Sequence, residues 1–258
     1  MTTWIEFGRG PLFLFCFTLM LLGLLRILIL TSLGVVEAYG RNPDKIVPWK
    51  EIRNQTLAWL FPIGRLWRQR PVYSLGSFLF HASMIVTPLF LASHILLWRN
   101  SLGFGWPALP QRLANWLTLL VIFTALGLFL GRALDARARA VSRFQDYVWP
   151  LLIATPFVTG YIASNAFIGP RTYQQMILAH IYAGDLIMLM VPFTKIAHCV
   201  LMPLSQLVTS VAWKFPAGAG DRVIETLGFA DWPTWAPKAR LSTGSMTPEP
   251  AMKGEIKK

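Results

Sequence analysis

Long runs of apolar residues, separated by short clusters of charge, dominate this chain. Stretches of about 20 apolar residues, enough to cross a bilayer as helices, fall at residues 11–36, 73–98, 113–134, 147–168 and 174–213. They predict an all-α integral membrane protein, a five-transmembrane-helix bundle filling residues 1–214. The fifth run is long enough to continue beyond the membrane. Between the runs lie a basic connection over 37–72 and turns at 103–110, 135–143 and 169–171. A tail over 215–258, rich in Pro, Gly, Thr and Lys, has too few apolar residues for a core of its own and is expected to be extended or partner-bound. The first run exceeds the apolar core of a signal peptide, shows no clear cleavage site and is followed by the heavy positive charge, so it reads as a retained helix.

Charge orients the bundle. Arg41, Lys45, Lys50, Arg53, Arg65, Arg68 and Arg70 follow the first run, Arg132, Arg137, Arg139 and Arg143 follow the third, and Lys214 and Arg222 follow the fifth. The opposite side carries only Arg9, Arg99, Arg112 and Arg171. The positive-inside rule then predicts an N-terminus outside and a cytoplasmic C-terminus, in a prokaryotic cytoplasmic (inner) membrane. Composition agrees, with 54% apolar and 14% charged residues. The net charge of +12 does not indicate nucleic acid, because the basic residues sit where topology demands them and no nucleic-acid motif accompanies them. Cys16 and Cys199 form no CxxC pattern, which excludes an iron–sulfur motif and covalent haem attachment within this chain.

All four histidines fall inside membrane-length runs, His81 and His94 on the second and His180 and His198 on the fifth. An imidazole in hydrocarbon is costly unless something binds it, so the set points to ligands. Topology places His81 and His198 at the inner depth and His94 and His180 at the outer depth, predicting two haem b groups, each between two histidines. On a straight helix His180 and His198 share one face about 27 Å apart, whereas His81 and His94 stand about 140° apart, a mismatch that a kink near Pro88 would have to relieve.

The fifth run carries a resemblance. His180, Gly184, Pro192-Phe193-Thr194-Lys195 and His198 together resemble the last helix of the respiratory nitrate reductase gamma-subunit family, di-haem membrane cytochromes b. The interval between His81 and His94 is wider than in that family. The stretches Phe80 to His94, Gly105-Trp106-Pro107 and Thr155-Pro156-Phe157 through Gly160-Tyr161 look closer to the Dsr and Tmc membrane cytochromes of sulfate reducers. The resemblance implies a subunit of a respiratory redox complex without a substrate-reducing site of its own. It implies menaquinone or another quinone as substrate near the outer haem, and a cytoplasmic iron–sulfur subunit of the heterodisulfide-reductase type and an outer-face cytochrome c as partners.

Other polar residues have two readings each. Asp185 lies in the apolar part of the fifth run, either as a proton acceptor for quinone or as a hydrogen-bonded helix contact. Arg99 and Arg112 flank the outer loop as quinone or propionate partners, or as exposed anchors at helix ends. Lys195 is a candidate partner for an inner haem propionate or a snorkelling cation. Gly184, and Gly76 before His81, leave room for a flat porphyrin or for close helix packing. The aromatic and basic residues of the inner connection, Trp49 among them, suit the anionic inner leaflet or a soluble partner. A transporter-like subunit or a membrane anchor without haem is the alternative class.

Overall fold

The computed structural model describes residues 1–42, 45–61, 68, 70–165 and 168–212. The tail over 215–258 lies outside the described residues. Helices α1 (Thr2–Phe7) and α2 (Phe13–Arg41) join through a π-helical turn at Gly8–Leu12, and the widened turn takes Pro11 without ending the helix. The basic connection contains α3 (Trp49–Leu60). Then come α4 (Pro71–Phe90), α5 (Ala92–Leu102), α6 (Gln111–Leu134), the short α7 (Ala136–Val141), α8 (Phe144–Asn165), α9 (Pro170–Met190) and α10 (His198–Ala212). No strand occurs among the described residues. Five helical segments are long and apolar enough to cross a membrane: Thr2–Arg41, Pro71–Phe90, Gln111–Leu134, Phe144–Asn165 and Pro170–Phe193.

Two of the predicted runs are not single helices. The run over 73–98 stops at Leu91, which is extended (φ −72°, ψ 131°), and restarts as α5. The run over 174–213 stops at Met190, passes through 3₁₀ turns at Val191–Phe193 and Lys195–Ala197 around an extended Thr194, and restarts at His198. A proline precedes or occupies each break, Pro88 in one and Pro192 in the other. Proline withholds a backbone donor and crowds the preceding turn, so both runs lose their regular ladder there. The picture of His180 and His198 on one straight helix is corrected accordingly.

The helices pack in the order α4, α6, α8, α9, α2, α10, with α3 against α10. Phe80, Val121 and Ala125 are buried where α4, α6 and α8 meet, with Met84, Leu128, Ile153 and Phe157 around them. Most other apolar side chains face outward, as Leu22, Leu33, Trp116 and Phe123 do, which is the arrangement expected where hydrocarbon is the solvent. Among the described residues α4 and α5 make at most slight backbone contact with α9 and α10, so the histidine-bearing helices face each other across a gap. Ring packing of Trp98 on Phe13 and Phe17 ties α5 to α2 instead.

Small residues let α2 approach the second break. A Cβ on Gly23 would stand 2.5 Å from Pro192 Cβ. Gly23→Ala should therefore overpack this contact and lower stability by about 1–3 kcal/mol. Thermal unfolding of the purified protein in detergent measures it, and an unchanged midpoint would refute the close approach.

Candidate functional site

The break at Leu91 leaves carbonyls of α4 without helical partners, and each finds another donor. Thr87 O keeps a helical bond from Leu91 N (3.0 Å), Pro88 O accepts from His94 Nδ1 (2.9 Å), Leu89 O from Trp106 Nε1 (2.8 Å) and Phe90 O from Leu109 N (2.9 Å). Unpaired carbonyls at membrane depth would cost several kcal/mol each, by the roughly-several-kcal/mol scale for backbone groups in hydrocarbon. The loop carrying Gly105-Trp106-Pro107 thus closes the break, and the imidazole of His94 is part of that closure.

The other three histidines use the same device. His81 Nδ1 donates to Ser77 O (2.7 Å) one turn earlier, His180 Nδ1 to Pro156 O on α8 (2.7 Å), and His198 Nδ1 to Lys195 O in the 3₁₀ turn (2.7 Å). A carbonyl only accepts, so Nδ1 carries a proton in every case, which is the arrangement that leaves Nε2 as the nitrogen able to ligate a metal. This is how a second shell orients a metal-ligating histidine. His180 also needs Gly160, because a Cβ there would stand 2.9 Å from its Cε1 and Nδ1.

The fold brings these rings together in two pairs. His94 and His180 have ring centres 5.8 Å apart with planes 24° apart, and His81 and His198 have centres 6.0 Å apart with planes 88° apart. An imidazole nitrogen lies about 2.0 Å from a bound first-row metal, so two axial rings on one ion have centres about 6.3 Å apart. Both pairs come within a few tenths of an ångström of that spacing. Among the described residues no three His, Cys, Asp or Glu side chains cluster as a metal site. Each pair could therefore offer two imidazole nitrogens and no further protein donor to an ion between them, a donor set that suits an iron whose other ligands come from a tetrapyrrole. Gly184, one turn after His180, has nothing within 4 Å of where a Cβ would stand, so α9 presents open space beside that histidine; Gly76 is equally open but stands about 140° round its helix from His81. The residues present fit haem.

The remaining candidates separate. Lys195 donates to both carboxylate oxygens of Asp146, at 2.7 and 2.8 Å, a partner the sequence reading did not name. Asp185 is buried, near enough to Cys16 on α2 to act on it electrostatically, and its Oδ2 has no hydrogen-bond partner among the described residues. Arg99 is exposed on α5 with its guanidinium against Gly105, and Arg112 is exposed in the first turn of α6. Among the described residues no hydrogen bond or ion pair joins Asp185 to Lys195, Arg99 or Arg112. A fourth cation, Arg9, acts electrostatically on His180 from the π turn, where the pattern of the first run marked it only as a topological charge. An open groove lined by Trp4, Gln175, Met176, Leu178, Ala179 and Tyr182 runs along α9. Of its α9 residues, Gln175, Leu178, Ala179 and Tyr182 point about 100° or more round the helix from His180, whereas Met176, one turn before it, lies about 40° away.

A protein of Nitratidesulfovibrio vulgaris (strain Hildenborough), bearing only the name "Protein", is 35% identical over 167 residues, which cover 64% of this chain and 73% of that protein. No family model matches the chain. No solved structure matches it.

Proposed function

We propose that this chain, which belongs to the same family as that Nitratidesulfovibrio vulgaris protein, is a di-haem b membrane subunit of a respiratory redox complex. It passes electrons between the membrane quinone pool and a cytoplasmic iron–sulfur subunit of the heterodisulfide-reductase type, with an outer-face cytochrome c as a further partner. One observation carries the reading: four histidines, each anchored through Nδ1 to a backbone carbonyl, face one another in two pairs across a gap between helices. A structural role would need no such repetition, since an interhelical histidine is satisfied by one bond in any direction.

His81 with His198 and His94 with His180 would hold the two haems, which supply one-electron chemistry when bound. The chain itself fixes the tautomer and aim of each ligand through the carbonyls that their Nδ1 atoms meet. The basic end of the bundle, carrying Arg132, Arg137, Arg139 and Arg143, is placed in the cytoplasm by the positive-inside rule, which puts His94 and His180 on the outer side of a prokaryotic cytoplasmic membrane. Menaquinone or another quinone then reacts at the outer end. Arg99 and Arg112 are the candidate headgroup partners there, and the buried carboxyl of Asp185, five positions after His180 on α9, is the candidate to take a proton.

A reduced-minus-oxidised spectrum of the purified protein, with extraction of the pigment, tests this directly. About two non-covalent haems per chain with low-spin bands are expected. A folded, colourless protein would favour an anchor or transporter-like subunit and end the haem reading.

A further inference from the structure

We propose that Asp146 is a positioning residue for His198, acting through Lys195. The inference rests on the haem reading only for its spectroscopic arm. Between Met190 and His198 the backbone has no regular ladder: Pro192 donates nothing, Thr194 is extended (φ −131°, ψ −179°), and Lys195–Ala197 is a single 3₁₀ turn. Such a turn is weak by itself. Its internal ties are Ala197 N to Thr194 O (3.1 Å), Thr194 Oγ1 to Met190 O (2.9 Å) and a long bond from Ile196 N to Thr194 Oγ1 (3.4 Å). All of these run within the segment, so none of these hydrogen bonds fixes it to the bundle; packing of Pro192 on Gly23 of α2 holds its first 3₁₀ turn, and the turn that carries Lys195 needs a tie of its own.

Lys195 provides that external tie, and both of its ends are engaged. Its ammonium donates to Oδ1 and Oδ2 of Asp146, 49 residues away on α8, and its carbonyl accepts the Nδ1–H of His198. Asp146 is itself held from two sides. Its Oδ2 accepts from Arg143 N (2.8 Å) at the start of α8, and Arg132 at the end of α6 donates to its backbone carbonyl (2.9 Å) with the guanidinium 3.8 Å from Oδ1. The carboxylate side chain is only 16% exposed while that of Lys195 is 50% exposed. An ion pair so open to solvent adds little stability, so its consequence is orientation. A rigid element, the α6–α8 corner, thus reaches the imidazole of His198 through one residue, whereas His81 is anchored within its own helix.

The test uses the full chain in detergent or nanodiscs with ¹⁵N-labelled histidine. The His198 resonance is assigned as the one missing from His198→Gln. In the parent its shifts should report the Nδ1–H tautomer. Asp146→Asn and Lys195→Met should each move it toward mixed tautomers while the other three histidines stay as they are. Lys195→Arg, which preserves the pair, should match the parent, and the Asp146→Asn, Lys195→Met double variant should be no worse than either single one, as expected for groups acting as a unit. In the haem-loaded protein the electron paramagnetic resonance of the His81–His198 haem should shift in the same sense in both single variants, with that of the other haem unmoved. Shifts of opposite sense in the two would mean that charge alone is responsible and would overturn the proposal. So would an unchanged His198 in both singles, or a change spread over all four histidines. A parent without haem would end the haem reading and leave the tautomer measurement to decide this one.

Discussion

His94→Ala or His180→Ala should lower haem content from about two per chain to about one and abolish quinol oxidation, leaving the His81–His198 site spectroscopically intact. Each substitution removes one of two imidazoles whose ring centres lie 5.8 Å apart, so either leaves the same site with a single donor. The second site draws on His81 from α4 and His198 from α10, and neither histidine relies on the first site for its anchor. The two substitutions differ in what else they disturb. Removing His94 also strips the partner from Pro88 O at the break, and an unsatisfied buried carbonyl costs about 1–3 kcal/mol. His94→Ala should therefore melt at lower temperature than His180→Ala, because Pro156 O, the acceptor lost by His180, also accepts a bond from Thr159 Oγ1 (3.3 Å). Pigment extraction, redox titration and melting curves measure all three effects. Loss of the His81–His198 haem from either variant would overturn the pairing.

The five spans are legible in the sequence because their cause is one-dimensional: a span needs only length and apolarity, and residues 113–134 meet both within two positions of Gln111–Leu134. The joining of His94 to His180 and of His81 to His198 follows from depth alone, since antiparallel helices place residues by distance from the membrane face. The breaks are less legible. Pro88 signals a disturbance, but the helix ends three residues later at Leu91, where Trp106 and Leu109 supply donors from a loop more than a dozen positions away. Straight-helix geometry gives His81 and His94 incompatible directions, and the break removes that conflict by giving each its own helix. The anchors of the histidines are still harder to see. Backbone carbonyls have no residue type, so Pro156 O and Lys195 O leave no trace in the pattern. The partner of Lys195 escapes for another reason: Asp146 lies 49 residues away, at the start of a different span, where an acid looks like an ordinary first-turn residue.

Gly160 is the position where the smallest change should have the largest specific effect. Gly160→Ala should abolish or weaken by at least tenfold the retention of haem between His94 and His180, a loss of about 1.4 kcal/mol or more. The added methyl would stand 2.9 Å from Cε1 and Nδ1 of His180 and 3.8 Å from its Cγ. Carbon contacts are favourable at about 3.5–4.0 Å, so the ring has to retreat by more than about half an ångström. It cannot do so freely, because its Nδ1 is bonded to Pro156 O, one turn before Gly160 on the same helix. The methyl therefore sets the ring against its own anchor, and either the hydrogen bond or the alignment with His94 gives way. Helix propensity alone would favour alanine over glycine here, so a merely local effect has the opposite sign. Gly184→Ala is the matched comparison: with nothing within 4 Å of the new methyl, it should not lower the melting temperature of the haem-free protein, and should reduce haem retention only if a flat ligand lies against α9. Haem-binding titrations of the two variants separate these effects, and a Gly160→Ala protein that keeps both haems with parental spectra would show that His180 does not need the slot.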